Sequence, residues 1–270
     1  MVDRDSSLSI RYRASSHFMD TRTTASQPWF QVRRDSRARF RLFCFPYAGG
    51  SSSIYRPWSR QIRSDIEVVP VLLPGRELRL REPTYTRFDP LVEALTREIF
   101  PFLDRPFAFF GHSMGAITSF EVARRLRLER GIETEHLFIS GRRAPQLPQQ
   151  DPEIHNLPDA EFLAEVQRLN GTPKEVLEHT ELMEILLPML RGDFAVVRNY
   201  NYVPGPPLKC SITVLGGTRD ESAPQAKLEG WCAQTTGRCR VRMLDGDHFF
   251  VNQQQPAILR IIEETLLARV

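Results

Sequence analysis

The sequence predicts an α/β fold built on a mainly parallel sheet and interrupted by a helical insertion. Three observations predict it. From residue 39 onward, short apolar runs alternate with helix-period segments, as βαβ units require. Over residues 145–207 the alternation stops, only helical patterns occur, and it then resumes. Gly111-His112-Ser113-Met114-Gly115, a G-x-S-x-G, falls between a buried-strand pattern and a helical one. At 270 residues the chain suits one larger domain with room for one insertion.

Each element has a local reason. Arg39–Phe45 alternates and then becomes continuously apolar, as a strand entering a buried sheet does. Pro46-Tyr47-Ala48-Gly49-Gly50-Ser51 ends it in a small-residue loop. Residues 66–73 read as the next strand, closed by Pro74-Gly75. A helical period over 89–103 carries Leu91, Val92, Leu95, Ile99 and Phe102. Phe107–Phe110 is a short buried strand, and residues 114–130 form a helix stopped by Gly131. His136–Ser140 is another strand. Within the insertion, Asp159 is read as the cap of a helix bearing Phe162, Leu163, Val166 and Leu169, stopped by Asn170-Gly171. Thr172-Pro173-Lys174-Glu175 fits a capping box. Leu182, Ile185, Leu186, Met189, Leu190, Phe194 and Val197 then mark one apolar helix face with a bend expected at Pro188. Strands at 211–216 and 240–244 and helices near 224–235 and 256–268 complete the pattern. No internal repeat is visible.

Composition excludes several classes. Hydrophobic residues make up 41% and charged residues 26%, which suits a globular chain rather than a disordered one. No apolar run approaches a membrane span, so no membrane association is expected. The net charge of +3 arises from residues 1–41, which hold nine Arg against four Asp. The remainder is slightly acidic, so no nucleic-acid-binding face is expected. Residues 1–38 lack a periodic apolar face and read as a disordered extension preceding a domain at 39–270, or translation begins at Met19. With no apolar h-region the chain is expected to be cytoplasmic and to act as a monomer. The four cysteines, Cys44, Cys210, Cys232 and Cys239, form no CxxC pair, and neither a disulfide nor a metal site is expected. No Walker motif, no GxGxxG and no HExxH occurs, so no cofactor is inferred.

The chemistry concentrates at strand ends. In a nucleophile elbow the serine sits on a tight turn between strand and helix, and the flanking glycines leave room for the crossing backbone. Ser113 occupies that position. A hydroxyl is a weak nucleophile and needs a base, which in turn needs an orienting acid. Of six histidines, His248 follows the 240–244 strand at its C-terminal end, where open α/β sheets gather their functional residues. His112 sits within the elbow and should point away from Ser113, and His136 opens a strand at the opposite edge. Three acids lie in range. Asp220 follows strand 211–216, whereas Asp245 and Asp247 sit too near His248 to reach its far ring nitrogen, which favours Asp220. The amides of Ala48 and Met114 are the candidate oxyanion donors.

These residues resemble the type II, or editing, thioesterases of polyketide and nonribosomal peptide biosynthesis. The resemblance runs through most of residues 40–268 and rests on several segments in order. They are Phe45–Gly50, Leu73-Pro74-Gly75-Arg76-Glu77, Gly111–Gly115, Leu187–Phe194, Gly216–Asp220 and Gly246–Phe250. It implies an α/β-hydrolase core whose 145–207 insertion is a helical lid. It also implies hydrolysis of stalled acyl groups from the phosphopantetheine arm of acyl or peptidyl carrier proteins. Ser113 would be nucleophile, Asp220 acid and His248 base, with Ala48 and Met114 at the oxyanion and no bound cofactor. Tyr47, where many members carry His, and Met189 and Phe194 are candidates to line the acyl channel. The Arg76-Glu77 pair of the motif reads only as a structural ion pair. The alternatives are a carboxylesterase or lipase acting on small soluble esters and a non-catalytic hydrolase-fold binding protein, which would normally lack one of the three residues.

Overall fold

A computed structural model describes residues 29–32, 38–169 and 179–268. Six strands form one sheet: β1 (Phe40–Phe45), β2 (Ile66–Pro70), β3 (Phe107–His112), β4 (His136–Ser140), β5 (Ser211–Gly217) and β6 (Cys239–Leu244). Their order is β2-β1-β3-β4-β5-β6 and each neighbouring pair is parallel. The helices are α1 (Trp58–Gln61), α2 (Phe88–Ile99), α3 (Met114–Arg130), α4 (Asp159–Arg168), α5 (Thr180–Arg198), α6 (Gln225–Glu229), α7 (Phe250–Gln253) and α8 (Gln255–Leu267).

Strand alternation divides the core in two. Phe43, Phe45, Val69 and Phe109 face α2 and α3, with Ile117, Phe120 and Trp231 behind them. Leu42, Cys44, Val68 and Phe110 face the other way, against Trp58 and the Ile258 and Ile262 side of α8. Both faces are covered, which explains why β1, β3 and β4 are buried at every position. The register sets Phe45 beside Gly111, His112 beside Ser140 and Gly217 beside Leu244, so the functional loops leave one edge together.

The segment between β4 and β5 has a small core of its own, in which Ile154, Phe162, Val166, Met183, Met189 and Leu190 pack together. Pro188 lies inside α5. Leu182 and Ile185, expected on the buried face of that helix, are 37% and 52% exposed, and near its start Met183, at 4%, is buried instead. Asp159 does not cap α4. The N-cap is Pro158, and the Asp159 carboxylate accepts from Arg191 of α5 instead at 2.6 Å. The expected stop at Asn170-Gly171 and capping box at 172–175 lie outside the described residues.

Two other expectations are corrected. The domain does not begin at residue 39. Trp29 and Phe30 are 8% and 2% exposed. Phe30 bridges Val71 in antiparallel fashion, and the Leu72 N–H donates to the Trp29 carbonyl at 2.9 Å. The Arg79 guanidinium lies 4.0 Å from the Trp29 ring centroid, and Phe30 meets Phe43 edge to face. Two aromatics in a basic, polar stretch give no periodicity, so only their tertiary partners reveal them. The remainder of the expected extension, 1–28 and 33–37, lies outside the described residues. Second, Cys232 and Cys239 form a disulfide with Cα atoms 5.3 Å apart. The chain turns back between the end of a 3-10 helix at Gly230–Gln234 and the start of β6, which the seven-residue spacing alone does not reveal. Cys44 and Cys210 are buried and take no part in this disulfide.

A chain starting at Ala38 should melt several degrees below one starting at Trp29. Burial of two large aromatics is lost, and each Phe or Trp to Ala change in a core costs about 3–5 kcal/mol. Thermal denaturation of the two truncations, with Phe30→Ala as a third sample, checks this. Equal melting temperatures would show that the pair adds nothing to the fold.

Candidate active site

Ser113 occupies the turn between β3 and α3 with φ 52° and ψ −112°, a conformation that L-residues rarely adopt. The surroundings force it. The Ser113 N–H donates to the Ser140 carbonyl at 2.8 Å, and its carbonyl accepts from the Ala116 N–H at 3.0 Å. A Cβ on Gly111 would stand 2.1 Å from the Gly115 carbonyl oxygen, and one on Gly115 would stand 2.1 Å from that of Phe45. Neither position has space for a side chain, because α3 begins directly against the ends of β1 and β3. The geometry lifts the Ser113 side chain out of the sheet and sets the N-terminus of α3 beneath it, where the dipole favours negative charge.

Two loops bring the partners. Thr218 and Arg219 after β5 donate their N–H groups to the carbonyls of Leu244 and Gly246 after β6, each at 2.8 Å. That zipper places Asp220 beside His248. His248 Nδ1 lies 2.8 Å from Asp220 Oδ2, and His248 Nε2 lies 3.0 Å from Ser113 Oγ. The Asp220 side chain is 1% exposed. Burial would raise its carboxyl, but the hydrogen bonds and charge of His248, with the Ser222 hydroxyl at 2.6 Å and the Ser222 N–H at 3.0 Å, hold it below its ordinary value. The rival acids are engaged elsewhere. Asp247 Oδ1 accepts from the Phe249 N–H at 2.9 Å, and exposed Asp245 pairs with Arg219. Ser222, which also lies 3.3 Å from His248 Nδ1, carries no sequence signal that sets it apart.

The other histidines behave as their positions suggest. His112 is fully buried and bonds Ser140 Oγ through Nδ1 at 2.8 Å rather than meeting Ser113. Burial, reinforced by His248 nearby, pushes its imidazolium well below the ordinary histidine range, so it is a neutral spacer. His136 Nε2 bonds Thr213 at the far end of the sheet. His179 is the N-cap of α5 and accepts from the Leu182 N–H at 3.3 Å.

Ser113 and His248 open into a cavity of about 440 Å³. One wall is apolar and comes from the helical segment: Val166, Leu169, Leu190, Phe194 and Val197. Tyr47, Ala48 and Phe249 line it near Ser113, as does the polar cluster in which Arg142 grips Asp151 through two bonds of 2.7 and 2.6 Å. Tyr47 and Phe194 line this cavity. Met189 does not. It packs into the small core between α4 and α5 at 4% exposure, and Leu190, one residue on, lines the cavity instead. A helix turns 100° per residue, so a face identified only as apolar is easily assigned one residue out of phase. Arg142 and Arg143 were not singled out by the sequence, although their place after a C-terminal strand end is itself a signal.

Ala48 begins the turn after β1, in which the Gly50 N–H donates to the Tyr47 carbonyl at 2.8 Å. Among the described residues neither the Ala48 nor the Met114 amide is engaged by another group. The Arg76-Glu77 motif grips this same loop. Arg76 forms a two-pronged pair with Asp193 of α5, at 2.7 and 2.9 Å, and donates to the Gly50 carbonyl at 2.7 Å. Glu77 accepts from the Ser52 hydroxyl, the Ser53 N–H and Arg56. Among the described residues no cluster of three His, Cys, Asp or Glu could hold a metal ion, and no helix is long and apolar enough to cross a membrane.

The depressed Asp220 carboxyl has a stability consequence with a definite sign. Its folded value lies below the unfolded one, near 3.9 for a free Asp, so the ionised form stabilises the fold above about pH 4 and that contribution disappears as pH falls through the folded value. Asp220→Asn should therefore lose less stability than the natural protein between about pH 5 and pH 3. Parallel acid melts check this, and identical pH slopes would contradict it.

Comparison with known proteins identifies the family. A family model described as "Thioesterase domain" matches residues 40–266. "Linear gramicidin dehydrogenase LgrE" of Brevibacillus parabrevis is 45% identical over 249 residues, covering 91% of this chain and 95% of that one. The word dehydrogenase belongs to that protein's name; the present chain has no glycine-rich dinucleotide fingerprint. "Gramicidin S biosynthesis protein GrsT" of Aneurinibacillus migulanus is 45% identical over 228 residues, 84% of this chain and 89% of that one. Among solved structures, the type II thioesterase BorB from the borrelidin biosynthetic cluster superimposes with a TM-score of 0.82 at 35% identity, covering 90% of this chain and 99% of that one. A strained serine elbow after β3, an acid and a histidine after β5 and β6, and a family match that spans the whole sheet lead to one assignment: the chain belongs to the thioesterase family, among the type II thioesterases of polyketide and nonribosomal peptide biosynthesis.

Proposed function

We propose that this protein hydrolyses acyl groups from the phosphopantetheine arm of acyl or peptidyl carrier proteins through a Ser113 acyl-enzyme. The observation that carries the reading is the unbroken hydrogen-bonded chain from Asp220 through His248 to Ser113, opening into a cavity with an apolar wall. His248 Nε2 takes the Ser113 proton as Oγ attacks the thioester carbonyl. Asp220, kept ionised, holds the imidazole in the tautomer that leaves Nε2 free to accept and stabilises the imidazolium that forms. The amides of Ala48 and Met114 take the negative charge that develops on the carbonyl oxygen. The proton on His248 passes to the departing pantetheine sulfur. A water then enters, gives its proton to His248 and attacks the acyl-enzyme, which releases the acid and restores Ser113.

The helical segment over residues 145–207 acts as a lid in this reading, and its residues Val166, Leu190 and Phe194 receive the acyl chain. The chemistry is carried by side chains and amides, with no bound cofactor, in the cytoplasm and on a monomer. A partner carrier supplies the arm, and acidic carriers would meet the basic residues around the opening, among them Arg168 and Lys227. The competing activity, hydrolysis of small soluble esters, uses the same three residues and differs only in what it gains from the carrier.

The test compares hydrolysis of an acyl-loaded carrier with that of the matching p-nitrophenyl ester. The carrier substrate should have the higher kcat/KM. Preference for the free ester would favour the esterase reading. Ser113→Ala and His248→Ala should each abolish nearly all turnover, because the residues act as a unit. Asp220→Asn should cost on the order of 10⁴-fold in kcat, whereas Asp245→Asn should cost little. A large loss on Asp245→Asn with Asp220→Asn intact would reassign the acid.

Chain-length dependence tests the apolar wall. Phe194→Asp should lower kcat/KM for octanoyl-carrier and spare acetyl-carrier, because only the long chain loses buried contact, at about 0.8 kcal/mol per CH₂. Equal losses for both would show that the wall does not receive the acyl group.

A further inference from the structure

Arg76 and Asp193 form the most enclosed ion pair near the site, with side chains 4% and 5% exposed. Neither touches Ser113, Asp220 or His248. What they touch is the loop that carries Ala48. Asp193 Oδ2 accepts from the Gly49 N–H at 2.8 Å and from Arg76 Nη1 at 2.9 Å, while Oδ1 accepts from Arg76 Nη2 at 2.7 Å. Arg76 Nη1 also donates to the Gly50 carbonyl at 2.7 Å. The two residues that follow Ala48 are thus held at one N–H and one carbonyl. Gly49 has φ +77°, and Leu190 of α5 packs so close that its Cδ2 would stand 2.6 Å from a Cβ there. Glu77 grips the next turn through the Ser52 hydroxyl at 2.5 Å and the Ser53 N–H at 3.0 Å.

Three separate stretches of chain meet here: the loop after β1, the loop after β2, and α5 from the helical segment. Asp193 lies between Leu190 and Phe194, both of which line the cavity. The anchor of the loop and the wall of the cavity are therefore on one rigid helix. We infer that Arg76 and Asp193 are positioning residues that aim the Ala48 amide at the oxyanion, and that the aim holds only while α5 is seated on the sheet.

Chemically this follows from what an oxyanion donor requires. Its contribution depends on being in place before charge develops, and one such donor is worth about 10²–10³ in kcat. A loop with two adjacent glycines does not hold an amide to that tolerance unaided. An ion pair with forked geometry, shielded from water, fixes both distance and angle. The inference rests on the assignment of Ala48 proposed above.

The difficulty of the test is that removing one partner of a buried pair leaves an uncompensated charge and can unfold the protein. Replacement of both by apolar residues of similar size, Arg76→Met with Asp193→Leu, avoids that and is often tolerated. This double variant should fold, with its melting temperature within a few degrees of the natural protein. Its kcat for both acyl-carrier and p-nitrophenyl acetate should fall about 100-fold, with KM changed less than about twofold. Affinity for a trifluoromethyl ketone, which forms an oxyanion on Ser113, should fall by the same factor. The acid limb of the kcat/KM pH profile should not move, since neither residue meets His248.

A folded double variant with natural kcat and natural ketone affinity would overturn the inference, as would a loss confined to KM. Should the double variant not fold, Arg76→Lys is read by the same three measurements and decides the matter. The hydrolase assignment fails separately, if natural protein and Ser113→Ala turn over acyl-carrier alike.

Discussion

The close approach of α3 to the end of β1 is the constraint on which the rest of the site depends. The Gly115 backbone sits so near the Phe45 carbonyl that a single added carbon would overlap it, and Gly111 meets Gly115 in the same way. The turn between them has no room to relax, so Ser113 is held at φ 52°. A strained residue persists only where its surroundings over-determine it. Here the surroundings are the two glycines, the hydrogen bond to Ser140 and the buried sheet behind. From that one contact follow the exposure of the serine oxygen, the placement of the α3 N-terminus below it, and the nearness of the β1 loop that carries Ala48.

Around this fixed point, electrostatics are divided by burial. Asp220 and His112 both lie within reach of His248, and burial drives both toward neutrality. Asp220 resists because His248 and Ser222 supply hydrogen bonds to its charged form. His112, with Ser140 as its partner, does not resist. Two ionisable neighbours of one imidazole thus end in different states, one charged and orienting, the other uncharged and packing. The many exposed pairs, such as Arg125 with Glu129, contribute little by comparison, since solvent screens them.

The helical segment is tied to the rest of the domain by many polar links, among them Tyr200 with Glu121, Tyr202 with Gln234 and Arg142 with Asp151, and the Arg76–Asp193 pair is the most enclosed ion pair of those around the opening. Its own small core, centred on Phe162, Met189 and Leu190, is separate from the two layers of the sheet. The Arg76–Asp193 pair also holds the loop after β1, through the Gly49 N–H and the Gly50 carbonyl.

The succession of strands and helices and the elbow with its serine were legible in the sequence because each is written locally, whereas the order of the strands across the sheet was not. Buried parallel strands read as apolar runs, and the tight turn demands glycine at set spacings. His248 and Asp220 were legible by a topological argument, since strand ends on one side of a parallel sheet converge. Other features were decided by tertiary structure. Trp29 and Phe30 are core residues only because Val71, Leu72 and Phe43 meet them. Cys232 and Cys239 pair only because the chain folds back between them. Met189 and Leu190 share one apolar stripe, and the packing of α5 against both α4 and the sheet decides which of the two faces the cavity. Arg76 gives no local sign of its partner, which lies 117 residues away. Sequence alone determines what a residue can do with its neighbours in the chain. Which distant group meets it depends on how the helical segment docks, and that docking is set by shape and burial over many contacts rather than by any motif.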